Sequence, residues 1–397
     1  MLSAILTALY AFQQEGWREL LSLSSAENGS IAVSLIGAAL MFRQDGLRDL
    51  AGLAWTVALL HLAGHALAKG ALFLVADGVY RTSHDYRLAQ RGILKRSPWA
   101  FGLGALFAAM SLGAMPPQAG FVSEWYLFQT FFQGFHLASL ASRLTAALAG
   151  AGLALTAAVA FATFLKAFGI GLLGRGERAG SGAPPPLAAA VGTLGGLVLA
   201  LAVGMPLWLD ALGPAIATRF GSAAVAQMHV GPLLVPATGA PIRLDGTFAF
   251  ISPSLQVIVM PLLALLPVAL LLLAGRRFAP RRAPVWYGGG DRNPAQAATT
   301  ALTFSNALRT FYSFVYRPRA ETQQEFAAES NGGPYFIKRL VFSHDVAPIF
   351  GPALFAPLER LVLGLAARLR VIQSGYLNFY LALIGGLLVI ILCMALL

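Results

Sequence analysis

Apolar residues gather along this chain in runs close to the roughly 20 residues that a helix needs to cross a hydrocarbon core of about 30 Å. The runs lie near 28–43, 50–79, 98–113, 121–135, 144–173, 187–209, 251–274 and 376–397. The opening "MLSAILTALYAF" is too short to span and is predicted to form a partial or shortened helix. It has neither a basic n-region nor a small-residue cleavage site, so it does not read as a signal peptide. The sequon "NGS" at 28–30 falls at a predicted helix start and reads as chance.

Polar stretches separate the runs. "RTSHDYRLAQRGILKR" (81–96) and "RRFAPRR" (276–282) are basic, and "RGERAGSGAPPP" (175–186) is a Gly/Pro linker. The positive-inside rule assigns both basic stretches to the cytoplasm. Span parity allows that only if "MPPQAG" (115–120) belongs to a re-entrant or broken segment and does not join two complete crossings. From about 283 to 372 the chain turns polar, aromatic and amphipathic, and "LERLVLGLAARLR" (358–370) spaces its apolar residues as one helical face. That face suits a membrane surface, a partner or a solvated tail equally.

Composition narrows the class. Hydrophobic residues make up 57% and charged residues 11% of the 397 positions, and mean hydropathy is +0.69, outside the range of water-soluble chains. An all-α, polytopic transmembrane helix bundle is expected, multi-pass in a membrane such as the bacterial inner membrane. The formal charge of +11 is what basic flanks of membrane spans produce and does not point to nucleic acid. The lone Cys393 excludes an internal disulfide and any thiolate metal cluster.

Against this background "HLAGHALAKGALFL" (61–74) stands out. His61, His65 and Lys69 follow one another at i, i+4 and i+8, a single stripe about 12 Å long on a helix. An ionised group at mid-membrane costs from about 2.5 to more than 10 kcal/mol, so such a stripe faces protein or water and is functional by default. Three readings compete: histidines that merely hydrogen-bond to neighbouring helices, a metal site, and a proton relay. A metal site needs a third ligand; there is no HExxH, and Lys69 one turn on repels a cation. Imidazole titrates near pH 6.5, and an ammonium taken out of water gives up its proton more readily. A His, His, Lys ladder therefore passes a proton with small energy gaps, and the relay is the reading best supported.

A second constellation is "GAMPPQAGFVSEWYLF" (113–128). Pro116 and Pro117 interrupt helical hydrogen bonding, Gly120 follows, and Glu124 comes directly after the break. Broken membrane helices are tolerated where they line a cavity. The alternative is an ordinary interhelical turn with an interfacial glutamate. Lys166, in "FATFLKAFGIGLLG", is a cation near a helix end, placed equally well to snorkel or to join the path.

"LSSAEN", "HLAGHALAKGALFLVADGV", "PPQAGFVSEW" and "FLKAFGIGLLG", in this order and spacing, resemble the second half of the antiporter-like proton-pumping subunits of respiratory complex I, Mrp antiporters and membrane-bound hydrogenases. With "WYGGGDRNP" and "TALTFSNALR" in the tail, the similarity is to component B of the hydrogenase-4 and formate hydrogenlyase group. The resemblance implies inverted repeats with discontinuous helices, a central relay of His61, His65 and Lys69, and Glu124 as the group exchanging protons with one side. Lys166 joins that relay. Redox chemistry belongs to other subunits, and neither cofactor nor metal is expected here: "GGGDRN" lacks the strand, turn and helix of a nucleotide loop. Four segments are expected: 1–175, the antiporter-like proton-channel half; 176–275, further transmembrane helices with a long loop; 276–375, the amphipathic segment; and 376–397, a C-terminal transmembrane helix.

Two departures qualify the resemblance. Where the family has an Asp-Leu-Lys-Arg run entering "LLAYSS", this chain reads "GWRELLSLSS" with Arg18 at the lysine position. Arginine does not release its proton, so Arg18 supplies fixed charge only. Family members also carry a further repeat ahead of the point that matches Met1. The chain then corresponds to a fragment, a mispredicted start, or one half of a split subunit whose first repeat is a separate polypeptide. The partners implied are other membrane subunits of a respiratory or hydrogenase complex, and the lipid bilayer. Mrp-like cation antiport and a purely anchoring role are the alternatives to proton translocation.

Overall fold

Helix follows the apolar runs, and the interruptions decide where the path through the membrane bends. The computed structural model describes residues 1–174, 181–220, 242–245, 249–275, 299–326, 337–372 and 375–396. The basic stretch 276–282, the "WYGGGDRNP" stretch and most of the linker's charged half (175–180) lie outside the described residues. Met1–Leu308 and Arg309–Leu397 form separate compact units.

The first unit contains α1 (Leu2–Gln13), α2 (Trp17–Gln44), α3 (Arg48–Ser83), α4 (Trp99–Leu112), α5 (Ala119–Phe132), α6 (Leu140–Gly171), α7 (Pro185–Val203), α8 (Met205–Phe220), a small hairpin β1 (Ile242–Asp245) and β2 (Ala249–Ile251), α9 (Pro253–Leu273) and the start of α10 (Ala301–Phe311). Among the described residues of this unit α2, α3, α6, α7 and α9 are long and apolar enough to cross a membrane. α2 starts eleven residues before the apolar run at 28, because Ser24, Glu27 and Asn28 turn their polar side chains into the protein and the helix continues through them. The sequon is therefore mid-helix: Asn28 is buried and donates to the Ser24 carbonyl at 2.8 Å.

Backbone bonds at the helix ends define two faces. On one face the α1–α2 connection meets the loop after α3: Trp17 N donates to Tyr86 O at 2.8 Å and Leu88 N to Glu15 O at 2.7 Å. The end of α6 joins this face through Gly92 N to Leu173 O at 3.3 Å, and the approach to α7 joins it through Ala183 N to Ser97 Oγ at 3.0 Å. On the opposite face Ala138 N donates to Asp45 Oδ2 at 2.7 Å, tying the approach to α6 to the α2–α3 turn. α4 thus leaves the first face and α5 arrives at the second. At 14 residues each, about 21 Å, neither helix spans alone. Together they make one crossing, broken at 113–118.

Small residues set the spacing of this bundle. A Cβ at Gly104 of α4 would run into the Val191 carbonyl of α7, and Gly195 of α7 in turn faces the Gly104 backbone. Close backbone approach of this kind is the normal substitute for hydrophobic drive between helices in lipid. Gly104→Val is expected to destabilise the bundle by about 1–3 kcal/mol through overpacking. The check is the unfolding midpoint in detergent, which falls if α4 and α7 meet as described and stays at the parent value if they do not.

In the second unit a one-turn helix α11 (Ser313–Tyr316) precedes the antiparallel hairpin β3 (Arg319–Phe326) and β4 (Ile337–Asp345), paired from Arg319↔Asp345 to Phe326↔Ile337. Helices α12 (Ala356–Ile372) and α13 (Leu377–Leu396) follow. The hairpin departs from the amphipathic character expected across this segment: "RAETQQEF" has neither an apolar alternation nor a β-branched run, and its strand is held by pairing with β4. α12 carries the expected helical face over 358–370, and α13 is long and apolar enough to span.

Candidate functional site

Polar side chains on α2, α3, α5 and α6 converge within the first unit. On α3, His61 and Lys69 are 3% and 4% exposed and His65 between them is half-buried, so the stripe faces protein and not lipid. Gly64 on the same helix lets α5 come close, its absent Cβ lying 3.2 Å from that of Ala119.

The broken crossing delivers the next groups. Gly113 ends α4, Ala114 turns through a left-handed φ of 50°, and the Pro116–Pro117 bond is cis. Gly120 N donates to Ser111 Oγ at 3.0 Å, and a Cβ at Gly120 would collide with the Ser111 carbonyl, so only glycine lets α5 begin against the end of α4. Ser123, one helical step later, meets His61: Nδ1 lies 3.0 Å from Ser123 Oγ. The Ser123 hydroxyl also lies 3.0 Å from Gly120 O; when it donates there, its oxygen accepts from His61 Nδ1 and Nε2 is the basic nitrogen. His61 Nε2 and His65 Nδ1 are buried atoms that meet no hydrogen-bonding side chain or backbone group among the described residues. Leaving such an atom unsatisfied costs about 1–3 kcal/mol, which is why polar paths in proteins carry water. Glu124 is 7% exposed on the next residue of α5.

Lys69 is held by α2. Its Nζ donates to Leu21 O at 2.9 Å and to Ser24 Oγ, and stands 5.4 Å over the Phe164 ring of α6. One turn further along α2 is Glu27, 2% exposed and within electrostatic reach of both Lys69 and Glu124. This carboxylate is absent from the residues singled out by sequence pattern. Its signal was available: Ser24, Glu27 and Asn28 fall at i, i+3 and i+4, one polar face within a helix bordered by apolar residues. α3 and α5 supplied the more visible motifs, and only the packing of α2 against α3 brings Glu27 to them.

Lys166 does not snorkel. It is fully buried near the end of α6, donating to Gln14 O at 2.8 Å, to Ser305 Oγ of α10 at 3.1 Å and to Phe12 O, with the Phe12 ring 5.0 Å away. Arg18 is exposed at the start of α2, its guanidinium 5.2 Å over Tyr86 at the same face as the α3 loop. It is therefore apart from the Lys69 cluster. Among the described residues no group of three or more His, Cys, Asp or Glu side chains has metal-ligand spacing.

The loop after α3 is locked by Asp85, which pairs with Arg87 at 3.1 Å and Arg91 at 2.7 Å. The Arg87 backbone N–H, and then both guanidinium groups, hold this carboxyl below the usual carboxylate range. A depressed folded-state pKa contributes stability that is present above the unfolded value and is lost as pH falls through the folded one. Proteolysis of the 84–98 loop in solubilised protein is expected to accelerate as pH drops below about 4. The variant Asp85→Asn should be cleaved faster at neutral pH and show no further acid step; a parent-like profile would contradict this.

The first unit is a bundle of apolar helices with a broken crossing beside a line of buried titratable groups. Residues 1–149 match the family described as "NADH:quinone oxidoreductase/Mrp antiporter, TM". The chain is 29% identical over 401 aligned residues to Hydrogenase-4 component B of Escherichia coli K12, covering 98% of this chain and 57% of that protein. It is 33% identical over 175 residues to Formate hydrogenlyase subunit 3 of the same organism, covering 44% of this chain and 29% of that one. The fold matches a chain of the archaeal membrane-bound sulfane sulfur reductase with a TM-score of 0.59 at 18% identity, over 99% of this chain and 54% of that one. The chain is thus similar to antiporter-like membrane subunits, and it spans little more than half the length of Hydrogenase-4 component B.

Proposed function

We propose that this chain is a membrane subunit of a complex I-like or hydrogenase-type assembly and that it translocates protons through His61, His65, Lys69 and Glu124, with Lys166 continuing the path and Glu27 a member of it. The observation that carries this reading is the burial of Lys69 against α2 with Glu27 one turn away and Glu124 within reach of Glu27. Two carboxylates and a lysine are costly inside a membrane, and their assembly from three helices is explained by proton transfer and not by stability. Ser123 links His61 on α3 to the start of α5, directly after the 113–118 break. Redox chemistry is left to partner subunits, and the amphipathic α12 is available to a partner or the membrane surface.

The test uses membrane vesicles containing the chain with its neighbouring membrane subunits and a pH-sensitive dye. Loss of proton accumulation on deleting the chain, with the other subunits still present, supports translocation. Unchanged accumulation makes the chain an anchor.

A further inference from the structure

The break in the crossing carries a polar side chain into the protein. Gln118, between Pro117 and the first turn of α5, is 1% exposed, and its Oε1 is a buried atom without a hydrogen-bond partner among the described residues. Although it is the N-cap of α5, its side chain makes no capping bond, so the amide is not committed to the helix end. Two contacts give the register of α3 on α5. His61 Nδ1 is 3.0 Å from Ser123 Oγ, and the absent Cβ of Gly64 lies 3.2 Å from Ala119 Cβ, so residue numbers rise on α3 as they fall on α5. The next position of the α3 stripe, His65, therefore comes level with Gln118. His61 Nε2 and His65 Nδ1 are buried without a partner among the described residues, as Gln118 Oε1 is. From α7, Leu201 reaches to 3.8 Å of the Gly64 position and brings no polar group. His65 as a whole is only half-buried, so the space beside it admits water.

We propose that Gln118 is a positioning residue that holds a water molecule between His61 Nε2 and His65 Nδ1, and that the proton passes between the two histidines through this water. The inference rests on the translocation reading above and adds to it a residue and a bound water. Three buried polar atoms suit one ordered water, which typically makes about three hydrogen bonds. His61 and His65 are one turn apart, about 6 Å along the axis, a gap that two hydrogen bonds of about 2.8 Å through one oxygen nearly close. The water donates to Gln118 Oε1 and to His61 Nε2 and accepts from His65 Nδ1. In the transfer, the imidazolium of His65 releases its Nδ1 proton to the water as the water gives one of its own to His61 Nε2. His65 is left neutral, His61 becomes the imidazolium, and the water is regenerated. The Gln118 amide takes no proton; it fixes where the water sits and how it points.

The experiment is carried out on the full chain in vesicles with its partner subunits. Radiolysis of water produces hydroxyl radicals that oxidise the side chains beside a bound water, and exposed His84 is the internal reference. His61 and His65 are expected to label in the parent and to lose at least about threefold of that labelling in Gln118→Leu, which removes one of the water's three partners. Proton flux in Gln118→Leu is expected to fall about tenfold at parent abundance, the scale of one lost hydrogen bond. Gln118→Glu keeps an acceptor oxygen at the same reach and is expected to retain the labelling and more of the flux. A packing role alone predicts the reverse, with Leu tolerated and Glu disruptive. Parent-like labelling in Gln118→Leu overturns the proposal, as does lost labelling with parent-like flux. If the Leu variant does not accumulate, Gln118→Met, unbranched and without the amide oxygen, is read in the same way. Failure of the translocation reading looks different: there Lys69→Met pumps like the parent while Gln118→Leu still loses labelling. A dead Lys69→Met beside a Gln118→Leu that labels and pumps like the parent removes the water site alone.

Discussion

Lys69→Met is expected to lower proton flux by about a hundredfold or more while the chain still accumulates in the membrane. The flux estimate takes the proton-transfer contribution of a positioned acid or base, about 100- to 10,000-fold, as its guide. Accumulation survives because a buried ammonium costs about 2.5–3.5 kcal/mol at a helix centre on insertion scales, and methionine fills the same volume without it. The acceptors left behind are not stranded: Leu21 O also accepts from Ser25 Oγ at 2.9 Å and from Ser24 Oγ at 3.3 Å. Lys69→Arg keeps the charge but does not release a proton, and is expected to fail as well. A flux assay normalised to chain abundance by immunoblot decides the matter. Parent-like pumping by a normally abundant Lys69→Met would sink the relay.

The second large effect is expected at Glu124. Glu124→Gln preserves shape and most hydrogen-bonding capacity but removes titration, so flux is expected to drop by more than about tenfold with the fold retained. Glu124→Asp should keep part of the flux, because the carboxylate remains and is displaced by one methylene. If Glu124 were a turn residue at the interface, Gln would pump normally and only bulky substitutions would do harm. Its burial on α5, next to the Ser123 that meets His61, favours the first outcome. Proton uptake by the Gln variant, compared with its detergent unfolding midpoint, separates lost transfer from lost folding.

The position of Arg18 in the family-like motif implied fixed charge; in the fold it stands exposed over Tyr86, where a neutral residue removes a cation–π contact. Lys166 is placed by its neighbours. Its position near a helix end allowed snorkelling, but the end of α1 and the start of α10 cap it from above, and it ranks among the most buried polar groups of the first unit.

What the sequence determined by itself was whatever is local and strongly patterned. Apolar runs of bilayer length specify membrane helices because lipid leaves the backbone no other partner. The i, i+4, i+8 spacing of His61, His65 and Lys69 puts them on one stripe whatever surrounds the helix, and the prolines at 116 and 117 interrupt a crossing wherever it lies. Tertiary structure decided which stripes meet. That α4 and α5 share one crossing follows from bonds to loops far away in the chain, such as Ala138 to Asp45 and Ala183 to Ser97. That Glu27 joins Lys69 follows from the packing of α2 on α3, and that Lys166 is walled in by Phe12, Gln14 and Ser305 follows from α1 and α10 closing over α6. Hydropathy and spacing act along a single helix, whereas the energy of a buried charge depends on every helix packed around it, and that neighbourhood exists only in the folded chain.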